Sequence, residues 1–296
     1  MTLEKFLYNS AMALSRLPWW LLYALASFAG WLMATFKLYR YRIVHSNIAL
    51  AFPELTDAER RKIERGFYRQ FADNVVETLK LMTVSNESLR RKVEFVGWEQ
   101  LEAVAAEHRS VVLFLGHYGN WELVPTIVWA IPDEYIKGQI FKVPHNPLGH
   151  TVLERIRSRF NAENIPQEHA FFRLVRQNRA GLLTCTGFLA DQRPNGRFHA
   201  MTTFLGLPTA YVTGAEEIGR RINAAYYYID VEPTDRGCTR LTLKPVVPAA
   251  DEQEFPVTVG YLRMLEATIR RNPAPWLWSH NRWLGQLDHP ADLRNP

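Results

Sequence analysis

From about residue 92 the chain alternates between two patterns, and this limits its possible folds more than any other feature. Six short apolar runs read as strands: KVEFVG (92–97), SVVLFLG (110–116), EYIKGQIFKV (134–143), LLTCTGFLA (182–190), AAYYYIDVE (224–232) and TRLTLKPV (239–246). Helical patterns lie between them, near 98–107, 120–131, 147–160, 168–178 and 210–222, and a last one follows near 255–271. Strands that alternate with helices build a sheet covered on both faces. The expected fold class is α/β, with a central mixed, largely parallel sheet flanked by helices. Sheets of that kind carry their sites at strand ends.

The first ninety residues read differently. Residues 17–36, LPWWLLYALASFAGWLMATF, hold no charge and are bounded by Arg16 and Lys37. About twenty apolar residues are what a helix needs to cross hydrocarbon. Trp19, Trp20, Tyr23 and Trp31 suit a membrane–water interface. We read residues 1–45 as an N-terminal membrane anchor with a basic flank, and residues 46–296 as the body. A spanning helix, an in-plane helix and a buried core helix all fit the composition, and Ala24-Leu25-Ala26 resembles a signal-peptide cleavage site. Lys37, Arg40 and Arg42 follow the apolar run. They favour a cytoplasmic body if the helix spans and anionic headgroups if it lies in the plane.

Residues 56–82 predict a helix. Thr56 and Glu59 have the spacing of a capping box. Ile63, Phe67, Phe71, Val75 and Leu79 form an apolar stripe, with Arg61, Arg65 and Arg69 beside it.

The stretch VVLFLGHYGNWELVP, 111–125, brings a His and a Glu to the end of a buried strand. Gly116 can end the strand, Gly119 permits a sharp turn, and Asn120 suits the N-cap of the next helix. On one continuous helix His117 and Glu122 would lie about 140° apart. The turn removes that difficulty and lets the Glu reach back to the loop His. A carboxylate on one imidazole nitrogen fixes the tautomer and leaves the other free to accept a proton. That is a pair suited to activating a hydroxyl.

The net charge is +5 and the pI about 9.2. A basic surface suits an anionic membrane, nucleic acid or an acidic protein. No zinc-finger spacing, RNA-recognition signature or Lys/Arg-rich block accompanies it, so no nucleic-acid partner is expected. Cys185 and Cys238 are far apart and indicate neither a disulfide framework nor a CxxC site. The sequence lacks the G-x-S-x-G elbow of a serine hydrolase and the HExxH of a zinc protease.

HYGNWE resembles the HX4D/E block of the bacterial lipid A biosynthesis acyltransferases, the lauroyl- or myristoyl-type enzymes related to glycerolipid acyltransferases. The resemblance runs over nearly the whole chain, through SNIALAFPELTDAER, FKVPHNPLG, LADQRPNG, FLGLPTAYVTGAEEIGRR and PWLWSHNRWL. It implies an acyltransferase domain over 46–296, with His117 as general base and Glu122 as its orienting partner. It implies substrate contacts at Lys142, Asn146, Asp191 and Arg193, with Arg159 a further candidate to hold an oxyanion or an anionic lipid. It implies an acyl thioester donor on acyl carrier protein or CoA, a membrane glycolipid as acceptor, and no metal or organic cofactor. The location implied is the bacterial inner membrane, with the catalytic domain on the cytoplasmic side. The later FPEG block of the glycerol-phosphate relatives is not found. Asn281 interrupts the closing block, which leaves the role of the tail undecided. Another hydroxylated or amino-acid lipid as acceptor, or a non-catalytic lipid-binding protein on the same scaffold, remains open at this point.

Overall fold

The computed structural model describes residues 3–142, 151–153, 155–156, 159–194 and 200–283. Its centre is a seven-stranded sheet in the order β1-β9-β8-β2-β5-β3-β4. The strands are β1 (Val93–Val96), β2 (Val111–Leu115), β3 (Tyr135–Phe141), β4 (Glu163–Pro166), β5 (Leu183–Leu189), β8 (Ala225–Asp235) and β9 (Cys238–Pro245). Neighbours pair in parallel except β8 and β9, which form an antiparallel hairpin. β2 lies in the middle, and all five of its residues are buried, as an uninterrupted VVLFL run requires of a strand covered on both faces. The α/β reading and the mixed, largely parallel sheet agree with this arrangement.

Two features were not visible in the sequence pattern. β4 is a four-residue edge strand, ENIP, too short and polar to show alternation. β6 (Met201–Phe204) and β7 (Leu207–Ala210) form a separate antiparallel hairpin that runs up to the helix read near 210–222. The helix expected from 120 is a 3-10 helix, Trp121–Trp129, with Pro125 inside it. Proline lacks the N–H that an α-helical ladder would use there.

Ahead of the sheet lie α1 (Leu3–Ser15), α2 (Trp19–Thr35), α3 (Tyr41–Ala51) and α4 (Asp57–Lys80). The boundary read after residue 45 falls inside α3. α4 starts on the expected capping box, with the Thr56 hydroxyl accepting from Glu59 N–H and the Glu59 carboxylate accepting from Thr56 N–H. Its buried face departs from the stripe read in the sequence. Ile63 and Phe67 are buried, but Val75 is exposed, and the face continues through Ala72, Asp73, Asn74 and Glu77. Residues four apart advance about 40° past a full turn, so a stripe drawn at that spacing winds off the buried face within a few steps.

α2 packs along α4. Leu22, Ala26 and Gly30 are buried, and a Cβ at Gly30 would come within 2.9 Å of the Tyr68 carbonyl. The other face exposes Trp20, Leu25, Phe28 and Trp31. α2 has 17 residues, about 25 Å of helix. Among the described residues no single helix is long and apolar enough to cross a membrane, and the pair Lys5–Ser15 and Trp19–Thr35 that could do so together is bent by 116°.

The short α5 (Asn86–Arg90) leads into β1, and after the sheet begins come α6 (Gln100–Ala106), α7 (Ala170–Arg179), α8 (Gly214–Arg221) and α9 (Pro256–Arg271). α9 starts with proline at its first turn, where the missing N–H costs nothing. Its Tyr261 donates to the carbonyl of Leu115 at 2.9 Å, holding the end of β2.

Candidate active site

β2 and β5 are adjacent parallel strands, and Leu115 pairs with Leu189 at their C-terminal ends. Two residues beyond each lie His117 and Asp191. Residues two apart on a strand share a face, so the register sets these side chains side by side. His117 Nδ1 lies 2.6 Å from Asp191 Oδ1, and the His117 backbone N–H donates to Asp191 Oδ2 at 2.8 Å. Trp276 Nε1 donates to the same Oδ2 at 2.9 Å.

Burial alone would push the Asp191 carboxyl up. The charge and hydrogen bonds of His117, joined by Trp276, outweigh it and hold the group down to about 2. Asp191 is therefore an acceptor at neutral pH, which places the ring proton on Nδ1. Nε2 is then an acceptor, 3.1 Å from the Gln192 side-chain nitrogen. Trp121 meets the ring edge-on, with centroids 5.2 Å apart.

The turn after His117 follows the sequence closely. Gly116 is hemmed in, since a Cβ there would come 2.7 Å from Leu265 Cδ1. Gly119 has φ +60°, and its Cβ would meet Val231 Cγ1 at 3.3 Å. Gly119→Ala is expected to destabilise the protein by about 1–2 kcal/mol, measured by denaturant unfolding. Asn120 caps the 3-10 helix, its Oδ1 accepting from Glu122 N–H at 3.1 Å.

His117 opens into a cavity of about 610 Å³, a volume typical of small-ligand sites. Apolar groups from the 3-10 helix (Val124, Ile127, Val128), the sheet (Leu115, Ile140, Phe188) and α8 (Ala215, Ile218) line most of it. Polar groups in the lining include Glu122, Gln192, Arg193 and His280, with Gln192 in contact with His117. Gly138 of β3 and Gly187 of β5 also line it. Phe171, on the first turn of α7, is a half-exposed part of the wall.

The residues singled out from the sequence divide. His117, Glu122, Lys142 and Arg193 share this cavity. Glu122 does not hold the position read for it. The orienting carboxylate on Nδ1 is Asp191, because the imidazole turns across the strand ends toward β5. Arg159 stands elsewhere. Its guanidinium donates to the carbonyls of Leu81 and Val84, the latter at 2.6 Å, and to Asn86 Oδ1 at 2.8 Å. Those three bonds tie it to the turn after α4, outside the residues that line the cavity. Asn146 lies outside the described residues. Among the described residues no group of three or more His, Cys, Asp or Glu side chains is placed to hold a metal ion.

The tail acquires a place here. Trp276, Trp278 and Trp283 are buried, and Leu277 N–H donates to the His117 carbonyl at 3.0 Å. His280 Nε2 accepts from the Arg193 backbone N–H at 3.2 Å. Burial pushes the His280 imidazole down to about 4, against the pull of Asp191. A histidine held neutral binds fewer protons folded than unfolded. Its stabilising contribution is complete above about pH 6.5 and drains away as pH falls toward its folded value. His280→Gln should flatten that limb of the stability–pH curve, seen by unfolding at about pH 7 and about pH 4.5.

A histidine held by a buried carboxylate, facing a mostly apolar cavity at the C-terminal ends of parallel strands, is an arrangement that can take a proton from a bound hydroxyl. Residues 2–285 match the family model described as bacterial lipid A biosynthesis acyltransferase. The chain belongs to that family. It is 31% identical over 108 residues to the lipid A biosynthesis lauroyltransferase of Escherichia coli K12, covering 36% of this chain and 35% of that protein. It is 23% identical over 227 residues to lipid A biosynthesis acyltransferase 2 of Shigella flexneri, covering 75% of this chain and 64% of that protein. With the palmitoleoyltransferase of Escherichia coli K12 it shares 22% identity over 276 residues, covering 90% and 86%.

Proposed function

We propose that the protein is a membrane-associated O-acyltransferase that moves a fatty acyl group from an acyl thioester to a hydroxyl of a membrane glycolipid such as a lipid A precursor. The observation that carries this reading is the 2.6 Å contact between His117 Nδ1 and Asp191, which leaves Nε2 turned toward an apolar cavity.

In this reading the acceptor hydroxyl displaces Gln192 from His117 Nε2 and gives up its proton there. The oxygen attacks the thioester carbonyl, the tetrahedral intermediate collapses, and the C–S bond breaks. The departing sulfur takes the proton back from the imidazolium. Asp191 is a positioning residue that steadies the imidazolium as it forms. General-base help of this kind contributes about 10²- to 10⁴-fold. Glu122 faces the same chamber and acts on the reacting groups or on Arg193 rather than through Nδ1. The apolar wall takes the acyl chain. Lys142 and Arg193 suit an anionic sugar-phosphate or a phosphorylated carrier arm.

The exposed aromatic face of α2 supports association with a lipid surface, since apolar patches of that kind mark interaction sites. We place the protein at the inner membrane with its catalytic side cytoplasmic. The pI of about 9.2 suits docking of an acidic acyl carrier protein. The test follows thiol release from acyl carrier protein and acyl-CoA donors, with the protein in vesicles. Release should require a hydroxylated glycolipid. Equal release without it would make the protein a thioesterase, and binding without release would make it a lipid-binding protein.

A further inference from the structure

Three segments meet on one carboxylate. Glu77, on the buried face of α4, accepts from the Tyr23 hydroxyl of α2 at 3.1 Å and from Asn120 Nδ2 at 2.9 Å. Asn120 is the cap of the helix that carries Glu122. One turn earlier on α4, Asn74 donates to the Gly119 carbonyl at 2.7 Å. The turn between His117 and Glu122 is thus held twice from α4, and one of those holds is shared with α2.

α2 is fixed at the same place. Arg236 donates to Asp73 at 2.9 Å and to the Tyr23 carbonyl at 3.0 Å, and its guanidinium lies 4.5 Å from the Tyr23 ring centroid. The opposite face of α2 carries Trp20, Phe28 and Trp31, which are 71%, 59% and 56% exposed. Stability alone does not call for a buried carboxylate here, because well-packed apolar groups commonly serve as well. Burial pushes the Glu77 carboxyl up, and the hydrogen bonds from Asn120 and Tyr23 oppose it.

We propose that Glu77 is a positioning residue that couples the seating of α2 to the geometry of the turn between His117 and Glu122. A lipid surface covering Trp20, Phe28 and Trp31 would then steady that turn through Tyr23, Glu77 and Asn120. The kinetic readout rests on the acyl-transfer reading, but the structural readout does not.

The structural readout is amide hydrogen exchange over residues 117–123 in the full chain, with and without phosphatidylethanolamine–phosphatidylglycerol vesicles. Vesicles should slow exchange there by about tenfold, within the usual range of coupling between sites. Tyr23→Phe, which keeps the ring and removes only the hydroxyl, and Glu77→Ala should each abolish that slowing. Glu77→Gln should restore it, since an amide can accept from Asn120 and donate to the Tyr23 oxygen. In the kinetic arm, Tyr23→Phe should lower kcat several-fold with the donor KM unchanged, and should have no further effect in Glu77→Ala. Vesicle protection that persists in Tyr23→Phe and Glu77→Ala, or losses that add, would overturn the coupling. Absence of acyl transfer by the wild type would instead count against the proposed reaction and leave the exchange result to decide this point.

Discussion

Replacing His117 by Ala is expected to reduce acyl transfer by about a thousandfold while leaving the fold and the cavity in place. Nε2 is the nitrogen turned to the cavity, and it already meets a side-chain nitrogen, that of Gln192, at 3.1 Å. The loss should fall on kcat, because the imidazole contributes to proton transfer and little to holding either substrate. The ring is not what fills the core, as its side chain keeps 14% of its exposure. A His117→Ala protein that binds vesicles and melts like the wild type but turns over at wild-type rate would exclude the base assignment.

Asp191→Asn should cost about a hundredfold or more in kcat, since an amide in that place can favour the wrong tautomer of the histidine. Its carboxylate takes the Nδ1 proton, the His117 backbone N–H and the Trp276 indole N–H together. The stability effect has a definite sign. Asp191 titrates at about 2 when folded, below its ordinary 3.8. Its contribution is therefore full above about pH 4 and is lost as pH falls through the folded value. The Asn variant should be less stable at neutral pH and should converge on the wild type in strong acid. Glu122→Gln is the informative companion. Glu122 is not the group on Nδ1, so it should change turnover without the tautomer signature, which ring ¹⁵N resonances of His117 report.

Much of this fold can be read along the chain because its central strands are buried on both faces. VVLFL is a continuous apolar run and LTCTGFL an uncharged one rich in apolar residues, and β2 and β5 lie where those runs fall. Edge elements are harder. ENIP and the 201–210 hairpin carry too little apolar repetition to separate from loops, although Leu205 and Gly206 mark the hairpin turn in the structure with positive φ.

The site was legible in its residues and less so in its pairing. His117 and Glu122 stand close in sequence, which made them the natural couple. Asp191 lies 74 residues away and reaches His117 only because β5 is inserted next to β2. A sequence signal did exist, since both residues stand two places beyond the ends of matching apolar runs. Strand order, which that signal needs, is a property of the whole sheet. Arg159 shows the opposite difficulty. An arginine near a site pattern suggests an anion, but backbone carbonyls at the end of α4 offered it partners first. In the closing PWLWSHNRWL block, Trp276 and His280 hold Asp191 and the Arg193 backbone.

The most direct measurement is the mass of a hydroxylated lipid A precursor after incubation with the vesicle-bound protein and an acyl thioester. The account predicts a gain of one ester-linked acyl group with the wild type, and no gain with His117→Ala or with an acceptor lacking the hydroxyl. An acylated product from the hydroxyl-free acceptor, or free fatty acid as the sole product, would contradict it.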